Sequence, residues 1–252
     1  MKTTIDNIRL LLSSAGQYSV RLAQNPDDVR AAQALRFQVF NVELNEGLAE
    51  SFATGLDRDP FDTVCDHLLV EETGSRQIVG TYRLQTGGTA GAVMGYYSEQ
   101  EFDFTPYEPY RRQILELGRA CVHRAHRNMI VLGLLWKGIA NYAKENDARY
   151  LFGCSSITSQ DPAVGASAYA QLYRKHLADV SFRTTPTPQY DCPLDQLAPE
   201  PVVIPKLLRA YLSLGAKICG PPALDRNFKT IDFLTMLDLE TLPALAKQRL
   251  FA

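Results

Sequence analysis

Charged side chains embedded in apolar runs are the residues of this chain best placed to do chemistry. Arg83 lies within Val79-Gly-Thr-Tyr-Arg-Leu84, and Glu116 and Arg119 lie within Leu115-Glu-Leu-Gly-Arg-Ala-Cys-Val122. Asp62 and Asp66 flank the start of the run at Leu68, and Arg36 follows Leu35 one turn before Phe40. Burying an ion is costly unless it is paired. Two arrangements meet that condition. In one, the charges neutralise each other, Arg36 or Arg83 against Asp66 or Glu116. In the other, they line a polar cleft for a zwitterionic substrate. Residue types alone weigh the two equally.

Other chemistries find less support. G-x-G-x-x-G, the P-loop and H-E-x-x-H do not occur. Gly153-Cys154-Ser155-Ser156 has the wrong spacing for a nucleophile elbow, and a buried inert thiol is the favoured reading of Cys154. His123 and His126 are three apart but have no Cys or acid ligands beside them in sequence, so no metal is expected.

The elements that must position these residues follow from pattern. Tyr18–Ala23 reads as a strand. Asn25-Pro26-Asp27-Asp28 is a helix start, with Asn as N-cap, Pro in the first turn and acids at the positive end of the dipole. That helix is predicted to reach Glu43, with Leu35, Val39 and Val42 on one face. A loop from Asn45 to Pro60 leads to a β-hairpin, 67–72 and 78–84. Residues 86–112 read as an insertion folded over the core. Residues 114–122 form the clearest central strand. Strict alternation sets Glu116 and Arg119 on opposite faces, but Gly118 between them signals a bulge that would bring Arg119 to the face of Glu116. A buried helix over 129–146, a strand at 150–154 and a helix from Asp161-Pro162 to near Leu177 follow. A Pro-rich connection over 184–203 leads to a helix from Pro205 to Leu214 closed by Gly215, and strands at 217–220 and 231–238 end the series. The order predicts an α/β (α+β) fold with a mixed sheet, and neither a doubly wound dinucleotide fold nor a barrel.

Composition narrows the classes. The 252 residues suit a single domain over 1–252, with 184–252 as a C-terminal extension. Twenty-six Lys and Arg against 28 Asp and Glu give a net charge of −2, which argues against a dedicated nucleic-acid binder. Five scattered cysteines without a C-x-x-C pair fit a reducing compartment. No run of about 18 apolar residues exists and Met1-Lys2-Thr3 opens no cleavable signal, so a cytoplasmic protein is expected, with peripheral contact at the inner face of a membrane left open.

Taken in order, Leu35-Arg-Phe-Gln-Val-Phe40, Phe61-Asp-Thr-Val-Cys-Asp-His-Leu-Leu-Val70, Val79-Gly-Thr-Tyr-Arg-Leu84 and Leu115–Val122 resemble the bacterial ornithine N-acyltransferases of ornithine-lipid synthesis. Leu135-Trp-Lys-Gly-Ile139, Phe152–Ser156, Leu212–Ala216 and Asp225-x-x-Phe228-x-Thr230-x-Asp232 extend the likeness to nearly the whole chain. A more distant similarity is to the acyl-homoserine-lactone synthases. The resemblance implies a GNAT-like acyltransferase fold with a mixed, mostly antiparallel sheet flanked by helices. It also implies an acyl-acyl-carrier-protein donor, with its phosphopantetheine arm and no other cofactor, and an amino-acid acceptor.

On that resemblance, Glu116 takes a proton from the acceptor amine, while a backbone N–H freed near Gly118 and Arg119 meets the oxyanion. Arg36 or Arg83 forks the acceptor carboxylate, beside Phe40, and Asp62 or Asp66 receives a side-chain ammonium. Phe37, Phe40, Phe104 and Trp136 are acyl-channel candidates, though core packing explains them equally. The turn that is glycine-rich in ordinary GNAT enzymes is here Arg124-Ala-His-Arg-Asn-Met-Ile-Val-Leu132. Its missing glycines disfavour a CoA pyrophosphate, and Arg124, Arg127 and Asn128 become carrier-docking candidates. A general N-acyl amino-acid synthase, a lactone-type signal synthase and a non-catalytic acyl- or carrier-binding module are the rival readings.

Overall fold

The computed structural model describes residues 11–251; Met1–Leu10, with the stretch read above for a signal, lie outside the described residues. β1 (Leu11–Ala15) and β2 (Tyr18–Leu22) pair antiparallel about a tight turn in which Gly16 takes φ +57°. The sequence reading began only at Tyr18 and missed β1. α1 (Pro26–Phe37) starts as predicted, with Asn25 accepting from the backbone N–H of Asp28 at 3.0 Å. The helical path does reach Glu43, but its last six residues, Gln38–Glu43, form a π turn, and the N–H of Leu44 bonds to the carbonyl of Val39. The wider turn shifts the inward stripe by one residue. Val42, expected beside Leu35 and Val39, is 52% exposed; Asn41 is buried instead and donates to the carbonyl of Leu48 at 2.9 Å.

β3 (Asp66–Glu72) and β4 (Ile78–Thr86) form the predicted hairpin. α2 (Gly87–Ala92) and two 3₁₀ stretches, Tyr97–Gln100 and Thr105–Gln113, lead to β5 (Ile114–Val122). Next come α3 (Met129–Glu145), β6 (Tyr150–Ile157) and α4 (Pro162–His176), the last capped by Asp161 as expected. α5 (Lys206–Ser213) stops before Gly215, which takes φ +100°. β7 (Lys217–Ile218), shorter than predicted, β8 (Ala223–Asp225), β9 (Thr230–Asp238) and α6 (Ala244–Phe251) complete the chain; β8 and α6 were not foreseen.

These elements form two compact units. The first holds residues 11–85, Leu117–Asp147 and 244–251. In it, β1, β2, β3 and β4 pair antiparallel in sequence order, and α3 packs on β1, β2 and β3. Gly138 makes that approach possible, because a Cβ there would lie 2.8 Å from Leu68 and 3.1 Å from Val20. The second unit holds Thr86–Glu116 and Ala148–Pro243. There β5 pairs in parallel with β6 at Ile114–Tyr150, Leu115–Leu151 and Glu116–Phe152, and β9 pairs antiparallel with β6, β7 and β8. The architecture is the mixed α/β one that the pattern predicted, and its pairing is mostly antiparallel, as the resemblance implied. Segment 86–112 does more than fold over a core. Tyr96, Phe102, Phe104 and Tyr107 are themselves buried with Tyr150 and Phe152 in the aromatic centre of the second unit.

Candidate active site

In the first unit three arginines and three aspartates alternate in a closed ring. Arg36 Nε lies 3.2 Å from Asp57 Oδ2, and Arg119 Nε lies 3.5 Å from the same oxygen. Arg119 Nη2 meets Asp59 Oδ2 at 2.9 Å, and Arg83 Nη1 meets Asp59 Oδ1 at 2.6 Å and Asp62 Oδ1 at 3.1 Å. Asp62 closes the ring by accepting from Arg36 Nη1 at 3.0 Å and Nη2 at 2.7 Å. Arg36 and Asp57 are wholly buried. Three charges of each sign satisfy the pairing that burial demands.

Local sequence builds the acidic half. Asp59 is the N-cap of a 3₁₀ turn, Pro60–Thr63, accepting from the N–H of Phe61 at 2.9 Å, and Asp62 reaches back to the N–H of Asp59 at 3.3 Å. Burial alone would raise both carboxyls, but Arg83 and Arg119 hold Asp59, and Arg36 and Arg83 hold Asp62, below the usual carboxylate range. His67 is buried with Nε2 3.2 Å from the carbonyl of Asp62; its desolvation pushes the imidazole pKa down, so the neutral ring is favoured.

The ring decides between the two arrangements the sequence left open, as far as these arginines go. Arg36 and Arg83 are neutralised inside the protein, by Asp57, Asp59 and Asp62 rather than by Asp66. Asp66 is exposed and accepts from the Tyr142 hydroxyl at 2.5 Å. The irregularity in β5 falls one residue later than expected: Arg119, not Gly118, adopts the left-handed conformation, at φ +51°. For a residue with a Cβ that conformation stores strain, and the two aspartates on its guanidinium hold it there. A Cβ at Gly118 would meet Arg83 Nε at 3.8 Å, an ordinary van der Waals contact, so the Arg83 guanidinium does not itself require a glycine there.

In the second unit Glu116 is held by a clip. Its carboxylate accepts from the N–H of Tyr97 at 2.9 Å, the N–H of Ser98 at 2.8 Å and the Ser98 hydroxyl at 2.6 Å. The clip stands on Tyr96, whose hydroxyl donates to the carbonyl of Arg111 at 3.2 Å and whose ring lies under the Arg111 guanidinium. Gly87 permits this, since a Cβ there would meet the carbonyl oxygen of Arg111. The same Ser98 hydroxyl receives a contact from Cys154 Sγ at 3.4 Å, and that sulfur is 3.6 Å from Glu101 Oε2. Burial first, then the charges of Glu101 and Asp232, raise the Cys154 thiol well above its ordinary pKa. It is a proton-bearing polar contact and lacks the thiolate character of a nucleophile.

Glu101, Asp225 and Asp232 are all buried, and one oxygen of each lies within 4.8 Å of the others. Asp225 accepts from the N–H groups of Asn227 and Phe228, at 2.8 and 2.9 Å, and Asp232 from the Thr230 hydroxyl at 2.8 Å. Clustered carboxylates of this kind suit an ammonium group or a divalent cation.

At the start of α3, Asn128 caps the helix, its Oδ1 accepting from the N–H groups of Ile130 and Val131, both at 3.0 Å. Arg127 is braced on Glu43 through both guanidinium nitrogens and on the carbonyl of Val122. Arg124 is exposed. His126 Nδ1 lies 3.0 Å from the Tyr18 hydroxyl, and His123 Nδ1 accepts from the N–H of Ala125. Of the acyl-channel candidates, Phe40, Trp136 and Phe104 are buried, with Phe104 packed on Tyr96 and Tyr107, while Phe37 stacks edge-on against the exposed Phe52.

Comparison with known proteins fits this geometry. An acetyltransferase (GNAT) domain model matches residues 35–137, which contain all six ring residues and Glu116. The L-ornithine N(alpha)-acyltransferase of Rhodobacter capsulatus is 32% identical over 238 residues, covering 89% of this chain and 91% of that protein. The protein of the same name from Agrobacterium fabrum is 34% identical over 248 residues, covering 92% and 84%. The chain belongs to this family. Among solved structures, FeeM, an N-acyl amino acid synthase from uncultured soil microbes, shares the fold with a TM-score of 0.57 at 14% identity, over 93% of this chain and all of that one. The acyl-homoserine-lactone synthase LasI does so with a TM-score of 0.52 at 14% identity, over 94% and 96%. This member of the ornithine N-acyltransferase family is thus an acyltransferase on a GNAT scaffold.

Sequence reasoning missed Asp57 and Asp59, the Tyr97–Ser98 clip and Glu101. A signal for the first two was present: Asp57-Arg-Asp-Pro-Phe-Asp62 sets three carboxylates around a proline, and three arginines in apolar elements need three counterions.

Proposed function

We propose that this chain transfers a long-chain (3-hydroxy)acyl group from acyl-carrier protein to the α-amine of ornithine, giving a lyso-ornithine lipid. The observation that carries the reading is the name shared by four relatives, L-ornithine N(alpha)-acyltransferase, at 31–34% identity over about nine-tenths of the chain. Glu116, locked by three donors as an acceptor-only carboxylate, suits a base that takes the ammonium proton directly or through water. The freed amine attacks the thioester carbonyl, the C–N bond forms, and the C–S bond breaks to release the pantetheine thiol. Glu101, Asp225 and Asp232 are better placed than Asp62 to read a side-chain ammonium, because Asp62 is already committed to two arginines.

A carrier-bound donor is supported by the cap at α3. Asn128 occupies the two amides that a glycine-rich turn would offer to a pyrophosphate. Arg124 remains a docking candidate for an acidic carrier, whereas Arg127 is turned onto Glu43.

The test is thiol release from acyl-carrier protein and from acyl-CoA, with and without each member of an amino-acid panel. Release that depends on ornithine and prefers the carrier supports the reading. Equal use of glycine replaces it with a general N-acyl amino-acid synthase, and equal use of CoA overturns the donor assignment.

A further inference from the structure

One surface of the second unit is cationic and aliphatic at once. From Pro201 to Leu224 the chain carries Lys206, Arg209 and Lys217 and no carboxylate. Leu208 anchors α5 in the apolar cluster that also holds Leu172 of α4. Val203, just before α5, is 77% exposed, and on α5 Leu207 is 38% exposed and follows the exposed Lys206 in sequence, with the exposed Arg209 two residues on. Lys217, four residues past the end of α5, is tied to the end of α4. The N–H of Ala216 bonds to the carbonyl of Tyr211, and Lys217 Nζ donates to the carbonyl of Lys175 at 3.3 Å. Tyr173, 50% exposed, and Arg174 complete that turn. The local field is positive enough to be felt by a neighbour: after burial, Lys217 and Lys175 are what lower the pKa of His176.

We propose that this face docks on an anionic phospholipid bilayer, with Lys206, Arg209, Lys175 and Lys217 at the headgroups and Val203 and Leu207 in the interface. A short basic segment with aliphatic side chains between its cations gains both electrostatic attraction to an anionic leaflet and apolar burial. An acidic protein would answer the cations but would leave Val203 and Leu207 in water unless it also presented an apolar patch in register. The proposal stands apart from the acyl-transfer reading, since binding to lipid needs no turnover.

The experiment is co-sedimentation of the full chain with vesicles of equimolar phosphatidylcholine and phosphatidylglycerol, and with vesicles of phosphatidylcholine alone. Binding is expected to the first, to be weak to the second, and to be released by salt. K206E/R209E should weaken it by roughly 30-fold or more, taking each cation near an anionic surface as worth close to a factor of five. Its melting temperature and its turnover of a soluble acyl donor should not change. V203W should shift its emission to the blue when anionic vesicles are added; the single native Trp136 is buried and serves as the background. Equal binding to both vesicles, binding that survives the charge reversal, or no shift in V203W overturns the proposal. So does a charge reversal that weakens carrier-protein binding while leaving vesicle binding intact. Failure of the acyl-transfer reading would appear instead as absent turnover with vesicle binding preserved.

Discussion

Asp62→Asn is the sharpest probe of the ring, because it removes one charge and keeps the shape. Asp62 Oδ1 accepts from Arg36 and Arg83, and Oδ2 accepts from Arg36 at 2.7 Å. In the variant one oxygen becomes an NH₂ group facing a guanidinium N–H, and three buried arginines share two aspartates. Removing one partner of a buried ion pair costs about 3–5 kcal/mol. At about 2–4 °C per kcal/mol for a chain of this size, the melting temperature should fall by roughly 6–20 °C. Acid dependence supplies a second readout. Because Arg36 and Arg83 hold the Asp62 carboxyl below its unfolded value, its stabilisation is fully present above pH ~4 and is lost as the pH falls below that. The variant should lose part of that acid limb. Arg83→Met should couple to it: the double variant should lose less than the sum of the single losses, by about 0.5–3 kcal/mol. Calorimetry and urea titration at neutral pH and under acid conditions measure all three. A melting temperature within about 2 °C of the native value, or strict additivity, would refute a ring held together by mutual charge.

Glu116→Gln should lower turnover by about 100-fold or more, and it should also cost some stability, because the new amide NH₂ confronts the N–H of Tyr97 or Ser98. Ser98→Ala, assayed beside it, should keep the fold and lower turnover less. Cys154→Ala should keep turnover within about tenfold of native, whereas loss of a covalent nucleophile costs several orders of magnitude. His67, its pKa lowered by burial, should make stability decline as the pH drops through the unfolded histidine range, since the unfolded chain takes up the proton first. Urea midpoints at pH 7 and pH 5 should therefore differ more for the native chain than for His67→Asn.

The legible parts of this fold are those where a local rule has no competitor. Asn25-Pro26 and Asp161-Pro162 announce helix starts because cap, proline and acid act within one turn. The 66–86 hairpin and β5 declare themselves by short, largely apolar runs, which Gly80 and Gly118 interrupt without hiding. Gly118 rightly warned of irregularity in β5, but the strained residue is its neighbour Arg119, and only the tertiary grip of Asp57 and Asp59 could decide that. Glu116 stands out in the sequence as a carboxylate in an apolar strand, yet what holds it is largely the backbone N–H of Tyr97 and Ser98, which leaves no mark on side-chain pattern. Similarly, Gly87-Gly-Thr-Ala-Gly-Ala92 has too little helix propensity to suggest α2.

The π turn at Gln38–Glu43 bears on how this helix tolerates changes in length. An i→i+5 turn is a helix with one surplus residue stored in it, so the segment can lose a residue without losing its helical path. What such a deletion would change is phase. The stripe would return to ordinary spacing, the inward position now filled by Asn41 would go to an aliphatic side chain, and the tether from Asn41 to the Leu48 carbonyl would be cut. Relatives that differ by one residue here can therefore keep α1 and the ring at Arg36 while releasing or restraining the loop that follows. Residue-by-residue alignment will misplace every side chain from Gln38 to Leu44 unless the gap is set inside the turn.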